Sequence, residues 1–144
     1  MIKFITTADT LPLRNLVLRE SKLKDEECVF DHDNDEDTFH LGYYDQDQLV
    51  CVASFHHQSQ KDFPGNAFQL RGMATKEEFR GKGFGNMLLN FAIVYLRGRK
   101  VNYIWCNARK IAFKFYESIG FEFVSPEFMI EEIGIHRTMY LKIQ

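Results

Sequence analysis

The chain predicts a mixed α/β fold, and three observations lead there. Apolar residues switch repeatedly between the spacing of strands and that of helices along the 144 residues. Hydrophobic residues make up 45% of the chain and charged ones 26%, the balance of one globular domain, residues 1–144, with enough apolar material for a core. A glycine-rich stretch, Arg80-Gly81-Lys82-Gly83-Phe84-Gly85-Asn86, separates an extended run from a helical one. Such a junction crowds backbone amides together at a helix start, where they can cradle an anion.

The elements follow from the local pattern. Residues 2–5 predict a short first strand, and Thr10 is placed to cap a helix that tolerates Pro12 in its first turn and presents Leu13, Leu16 and Val17 on one face. Residues 21–37 are polar and predict loop or short helix. Residues 39–44 and 49–57 are rich in aromatic and β-branched side chains, with Asp45-Gln46-Asp47-Gln48 between them as a hairpin turn. A loop containing Pro64-Gly65 leads to a fourth strand over 68–74. Beyond the glycines, Phe84, Leu88, Phe91, Ala92 and Tyr95 recur at helical spacing up to Gly98. Residues 101–106 predict a buried strand. Ala112, Phe115, Tyr116 and Ile119 predict a second helix closed by Gly120, and residues 121–124 and 135–143 the last strands.

Composition narrows the classes. No apolar run approaches the roughly 18–20 residues that span a bilayer, and the first residues lead into polar ones rather than a signal-peptide core, so a cytoplasmic protein with no membrane partner is expected. Cys28, Cys51 and Cys106 are odd in number and lack C-x-x-C spacing, which argues against a disulfide framework and against a zinc site. Cys51 and Cys106 read as small buried thiols. The net charge of −2 hides an asymmetry: residues 71–114 hold 10 Lys and Arg against 2 acids, while residues 1–70 hold 6 against 13. The basic block contains the glycine loop and suits a polyanionic ligand; the acidic part is either solvated surface or a lip for a cationic partner.

The glycine loop fails two familiar patterns. Gly81-Lys82 is followed by Gly83 rather than Ser or Thr, and the upstream glycine of a P-loop is missing. A dinucleotide fingerprint would need glycine where Asn86 stands. What remains is R-x-x-G-x-G, from Arg80 through Gly83 to Gly85, at a strand-to-helix junction: either an anion cradle or a plain glycine-rich turn.

At this loop the chain resembles the GNAT superfamily of N-acetyltransferases. Leu70-Arg71-Gly72-Met73-Ala74-Thr75 is similar to the family's central strand leading into its acetyl-CoA loop, with four residues before Arg80. Asn107-Ala108-Arg109 is similar to the segment after the next strand, and the run from Ala112 to Phe121 matches a helix ending in F-Y-x-x-x-G-F. Order and spacing agree over residues 68–124.

The resemblance implies a single-domain α/β (α+β) fold: a mixed, mostly antiparallel sheet of about six to seven strands, flanked by helices and splayed at strands four and five. It also implies a co-substrate, acetyl-CoA, and no metal. Its pantetheine arm would pair with Met73, Ala74 and Thr75 like an added strand. The Met73 amide would act as the oxyanion donor, Arg80, Gly81, Lys82, Gly83, Phe84, Gly85 and Asn86 would hold the pyrophosphate, and Asn107 would reach the pantetheine. Tyr116 would bind the cofactor end and act as the acid for the departing thiolate, since a phenol can supply that proton. Its competing role is that of a core tyrosine. The general base is less legible. His136 is preferred, because Gly134-Ile135-His136 resembles a segment near the end of some family members; Glu78 is a weaker choice, and a plain surface histidine is the competing reading.

Two clusters carry less than they first suggest. The run from Asp31 to Asp37 begins like a calcium loop, but Glu36 and Gly42 stand where glycine and glutamate are needed. His56 and His57 adjoin in a strand and so face opposite sides. The expected function is therefore acetyl transfer to a primary amine of a small molecule or peptide, by direct attack in a ternary complex. A non-catalytic acyl-CoA-binding module of the same fold is the alternative, and a nucleic-acid binder is disfavoured because the basic block coincides with the cofactor loop. A homodimer is compatible with the sequence, and the acceptor is not legible in it.

Overall fold

The computed structural model describes all 144 residues, which fall into two compact units. The first comprises Met1–His57 and Leu70–Val94; the second comprises Gln58–Gln69 and Tyr95–Gln144. Eight strands are present: β1 (Ile2–Ile5), β2 (Phe39–Asp45), β3 (Gln48–His56), β4 (Ala67–Thr75), β5 (Tyr103–Arg109), β6 (Glu122–Phe123), β7 (Phe128–Ile130) and β8 (Gly134–Lys142). They form a mixed, mostly antiparallel sheet in the order β1-β2-β3-β4-β5-β8-β6, with β7 also paired to β8. Three α-helices accompany it: α1 (Thr7–Leu13), α2 (Phe84–Gly98) and α3 (Phe113–Ile119). None is long and apolar enough to cross a membrane.

In the first unit, β1, β2 and β3 form an antiparallel meander. The β2–β3 turn places Gln46 and Asp47 at φ of 49° and 65°, the left-handed pair that a two-residue hairpin needs to match the strand twist. Every residue of β3 from Val50 to His56 is buried, so this strand is the apolar centre of the unit. On one side Leu13, Val52 and Ala74 form a cluster joined by Ile5, Val17, Leu18 and Leu49.

Helix α1 departs from expectation. Its cap is Thr6, not Thr10: the Thr6 hydroxyl accepts from the Asp9 amide while the Asp9 carboxylate accepts from the Thr6 amide. Thr10 is instead a buried helical residue whose hydroxyl donates to the Thr7 carbonyl. Pro12 falls near the end of the helix rather than in its first turn. Lacking an N–H there, it is followed by a wider π-helical stretch, Arg14–Leu18. The change of pitch rotates the faces, so Arg14 and Asn15 turn inward and Leu16 is half exposed.

In the second unit, β4 pairs in parallel with β5 over Ala67–Tyr103, Phe68–Ile104 and Gln69–Trp105, and β5 pairs antiparallel with β8 from Tyr103–Lys142 to Arg109–His136. Ala67, Tyr103 and Trp105 pack together with Phe63 and Tyr140, and the Trp105 indole donates to the Gln58 carbonyl. Gly120 closes α3 at φ 119°, as its position in the sequence predicts. Strand β7 was not anticipated. It is a three-residue edge pairing Phe128 with His136, too short to show an alternating pattern.

Candidate functional site

The first unit carries the glycine loop and the end of β4. Gly81 and Gly83 adopt φ of 77° and 84°, a region that L side chains rarely occupy, and open space surrounds both Cα positions. The Gly83 carbonyl accepts from the Met87 amide, so Gly83 stands at the N-terminus of α2 and the amides of Phe84, Gly85 and Asn86 have no intrahelical partner. No acidic residue lies in this first turn, so no carboxylate of the helix competes for those amides. The Phe84 ring stacks on Tyr43 at 4.2 Å, which leaves the backbone rather than the ring of Phe84 available at the loop. Asn86 accepts from Asn90 through its side chain, again leaving its amide. Arg80 reaches back to the Thr75 carbonyl at 3.4 Å, and Lys82 is exposed with its ammonium over the Phe79 ring. The Thr75 hydroxyl meets the Cys51 thiol at 3.2 Å, and Ala74 is buried. The turn thus presents amides and two cations without a counter-anion, which fits a pyrophosphate. Glu78 lies exposed in the 3-10 turn Glu77–Phe79 just before it.

Met73 is half-buried on β4, and the residue before it has a feature that the sequence reading passed over. Gly72 sits at φ 64° inside the strand, and a Cβ there would lie 2.9 Å from Phe30 Cε2 and 3.0 Å from Arg14 Nε. A glycine in the interior of a strand is the signal for such a kink, and it could have been read. Gly72→Ala is expected to destabilise the fold by about 1–3 kcal/mol through strain and overpacking, checked by urea denaturation.

The second unit carries Asn107, Tyr116 and His136. Asn107 is exposed on β5, and its Oδ1 accepts from the Thr138 hydroxyl at 2.8 Å, which directs its NH₂ away from Thr138. His136 is on β8, two register positions from the Asn107–Thr138 pair. It is buried, 4% exposed, rather than a surface histidine. Its Nδ1 lies 2.8 Å from the Gly134 carbonyl, and the ring stacks on Phe128. Because a carbonyl only accepts, Nδ1 carries a proton and the neutral ring keeps its lone pair on Nε2. Tyr116 lies on α3, 7% exposed, with its ring against Phe115 and Phe121.

The acidic loop is not wholly solvated. Asp33 is buried at the centre of a polar network: Arg14 donates to both its oxygens at 2.6 and 3.0 Å, the Phe30 amide donates at 2.7 Å, and His56 Nε2 donates at 2.9 Å. These donors hold its carboxyl far below the usual carboxylate range in spite of burial, which opposes them. Arg14 also donates to Ser54, whose hydroxyl meets His40 Nδ1, while His40 Nε2 faces the Asp33 carbonyl. Burial lowers the pKa of His40. The neighbouring His57 is exposed and meets Asp37, so the two adjacent histidines do face opposite ways. No group of three or more His, Cys, Asp or Glu is arranged to hold a metal ion.

The chain belongs to the acetyltransferase (GNAT) family, whose sequence profile matches residues 6–121, and it is an acyltransferase. It is 36% identical, over 140 residues covering 96% of this chain and 93% of the relative, to the uncharacterized N-acetyltransferase YitI of Bacillus subtilis (strain 168). Among solved structures, an aminoglycoside 6'-N-acetyltransferase complexed with coenzyme A superposes with a TM-score of 0.79 at 17% identity, covering 100% of this chain and 97% of that one. The ribosomal-protein-S18-alanine N-acetyltransferase from Escherichia coli gives 0.75 at 20% identity, covering 100% and 94%. At these identities the two structures establish the shared fold.

Proposed function

We propose that this single domain, residues 1–144, is an acetyl-CoA-dependent N-acetyltransferase that passes an acetyl group to a primary amine of a small molecule or peptide by direct attack in a ternary complex. The observation that carries this reading is the turn at Gly81 and Gly83, which presents unpaired amides, Arg80 and Lys82 in a chain of the acetyltransferase family. Acetyl-CoA supplies the activated acetyl group as a thioester. Residues 80–86 hold its pyrophosphate, the β4 backbone at Met73, Ala74 and Thr75 pairs with the pantetheine arm, and the Asn107 NH₂ donates to the same arm. The Met73 amide donates to the thioester carbonyl oxygen as negative charge gathers there, an interaction typically worth about 3–4 kcal/mol. The amine nitrogen bonds to the acetyl carbon as the carbon–sulfur bond breaks, and the Tyr116 hydroxyl provides the proton that the sulfur takes on.

His136 receives on Nε2, the nitrogen left unprotonated by the bond from Nδ1 to Gly134, the proton that the acceptor ammonium must lose before its nitrogen can attack. His136→Gln is accordingly expected to lower kcat/KM and to change its dependence on pH. An unchanged pH profile places the base elsewhere. The function as a whole is tested by titration calorimetry with acetyl-CoA, followed by a panel of primary amines monitored for released thiol. Binding of acetyl-CoA with amine-dependent thiol release is expected; failure to bind any CoA species overturns the reading.

A further inference from the structure

Arg71 stands two residues before Met73 on β4 and is half-buried. Its guanidinium lies over the Phe30 ring at 4.2 Å, and that of Arg14 lies over the same ring at 4.0 Å. The two cations are provided for very differently. Arg14 spends its terminal nitrogens on Asp33, Ser54 and the Cys28 carbonyl. The Arg71 side chain makes no hydrogen bond and no ion pair with the protein. Burial and the neighbouring Arg14 both disfavour its charge, and Asp33 and Asp31 only partly offset them. Since a guanidinium does not give up its proton in a protein, a half-buried one without a protein partner is placed to gain from an anion.

The position is built rather than incidental. Phe30 is held by the hydrogen bond that its backbone N–H donates to the buried Asp33 carboxylate, and Gly72 lets the ring approach β4 where any side chain would collide with it. The ring is a platform on which Arg71 stacks through its face, leaving the edge N–H groups to form the planar fork that suits a carboxylate. Arg71 stands only two residues before Met73 on the same strand, so an anion held by its side chain would be within reach of a small acceptor whose amine attacks beside the Met73 amide.

We propose that Arg71 binds a carboxylate of the acceptor, so that the substrate class is an amine that also bears a carboxylate: an amino acid, or a peptide whose carboxylate lies close to the reacting amine. This rests on the reading of the β4 end as the place of acetyl transfer to an amine. A monoanion with a nearby ammonium suits the position better than a phosphate dianion, because Asp31 and Asp33 are close enough to act on Arg71.

The test compares amino acids with their carboxamides as paired acceptors at saturating acetyl-CoA, read by released thiol. Wild type is expected to favour the free acids in kcat/KM, and Arg71→Gln to erase that preference by raising KM for the acids about 10- to 100-fold, with kcat and acetyl-CoA affinity near wild type. Arg71→Lys should recover part of the loss. Equal use of acids and carboxamides by wild type, or a variant that loses kcat alone, overturns the proposal while leaving amine acetylation standing. Binding of acetyl-CoA without transfer to any amine of the panel overturns both. Should Arg71→Gln not fold, the wild-type protein decides: N-acetylated amino acids should raise its melting temperature and their carboxamides should not, and equal shifts overturn the proposal.

Discussion

Replacing Tyr116 with phenylalanine is expected to lower kcat by about 100-fold or more, far more than it lowers the affinity for acetyl-CoA. The substitution is informative because the ring and the hydroxyl can be separated. The ring packs against Phe115 and Phe121 at 5.2 and 5.3 Å between centroids, on a helix that ends at Gly120, and phenylalanine retains all of that contact. What disappears is the hydroxyl proposed to give a proton to the departing sulfur. A thiolate leaving without an acid must be expelled as the free anion, and that penalty falls on turnover rather than on binding. Measured kcat, KM for acetyl-CoA and thermal unfolding separate the outcomes. Loss of stability with unchanged turnover would mean that Tyr116 serves the core alone.

Asp33→Asn is expected to cost about 3–5 kcal/mol of stability, a large share of the 5–15 kcal/mol typical of a domain this size. The carboxylate is fully enclosed and receives Arg14, His56 and the Phe30 amide. An amide at that position keeps the volume but removes the charge and replaces an acceptor with a donor facing Arg14. The penalty is that of leaving a buried guanidinium uncompensated, so the double variant Arg14→Met with Asp33→Asn should lose less than the sum of the two single variants. The same network sets the response to acid. The folded pKa of Asp33 is depressed, so its contribution is complete above the unfolded aspartate pKa and is lost as pH falls below about 3.9 towards the folded value. The folded pKa of His40 is also lowered, by burial, so its contribution holds above the unfolded histidine pKa and begins to fade as pH drops below about 6.5. Urea midpoints across pH should therefore decline in two steps, and Asp33→Asn should remove the lower one.

The comparison of sequence with structure turns on how local each signal is. The β2–β3 hairpin was legible because Asp45 to Gln48 is a short polar turn between two β-rich runs, and the turn obeys residues next to each other in the chain. Helix α1 was misplaced although its capping box, Thr6 and Asp9, was in plain sight. Pro12 suggested a helix start, whereas tertiary packing holds it near the helix end and accommodates the lost hydrogen bond with π-helical turns. Leu16 was consequently assigned to the buried face, which Arg14 and Asn15 occupy instead. Among the site residues, the glycine turn was legible because positive φ and glycine go together at Gly81 and Gly83. Asp33 was not, since its partners lie 19 and 23 residues away and nothing in a run of acids distinguishes the one that folds inward. Arg71 and Phe30 were invisible for the same reason: a ring shared by two guanidiniums is formed by three separate segments.

The three cysteines have a practical consequence. All are reduced and buried, and burial pushes each thiol up, Cys51 to about 11. The thiolate is the form that attacks disulfide dyes and alkylating agents, so the folded chain is expected to react slowly with these reagents at neutral pH. Coenzyme A released by turnover is then the thiol such a dye meets first, and the assay proposed for the enzyme should carry little protein background. Once the chain opens, three sulfurs become reactive together. The same dye, without any substrate, becomes a clock for unfolding.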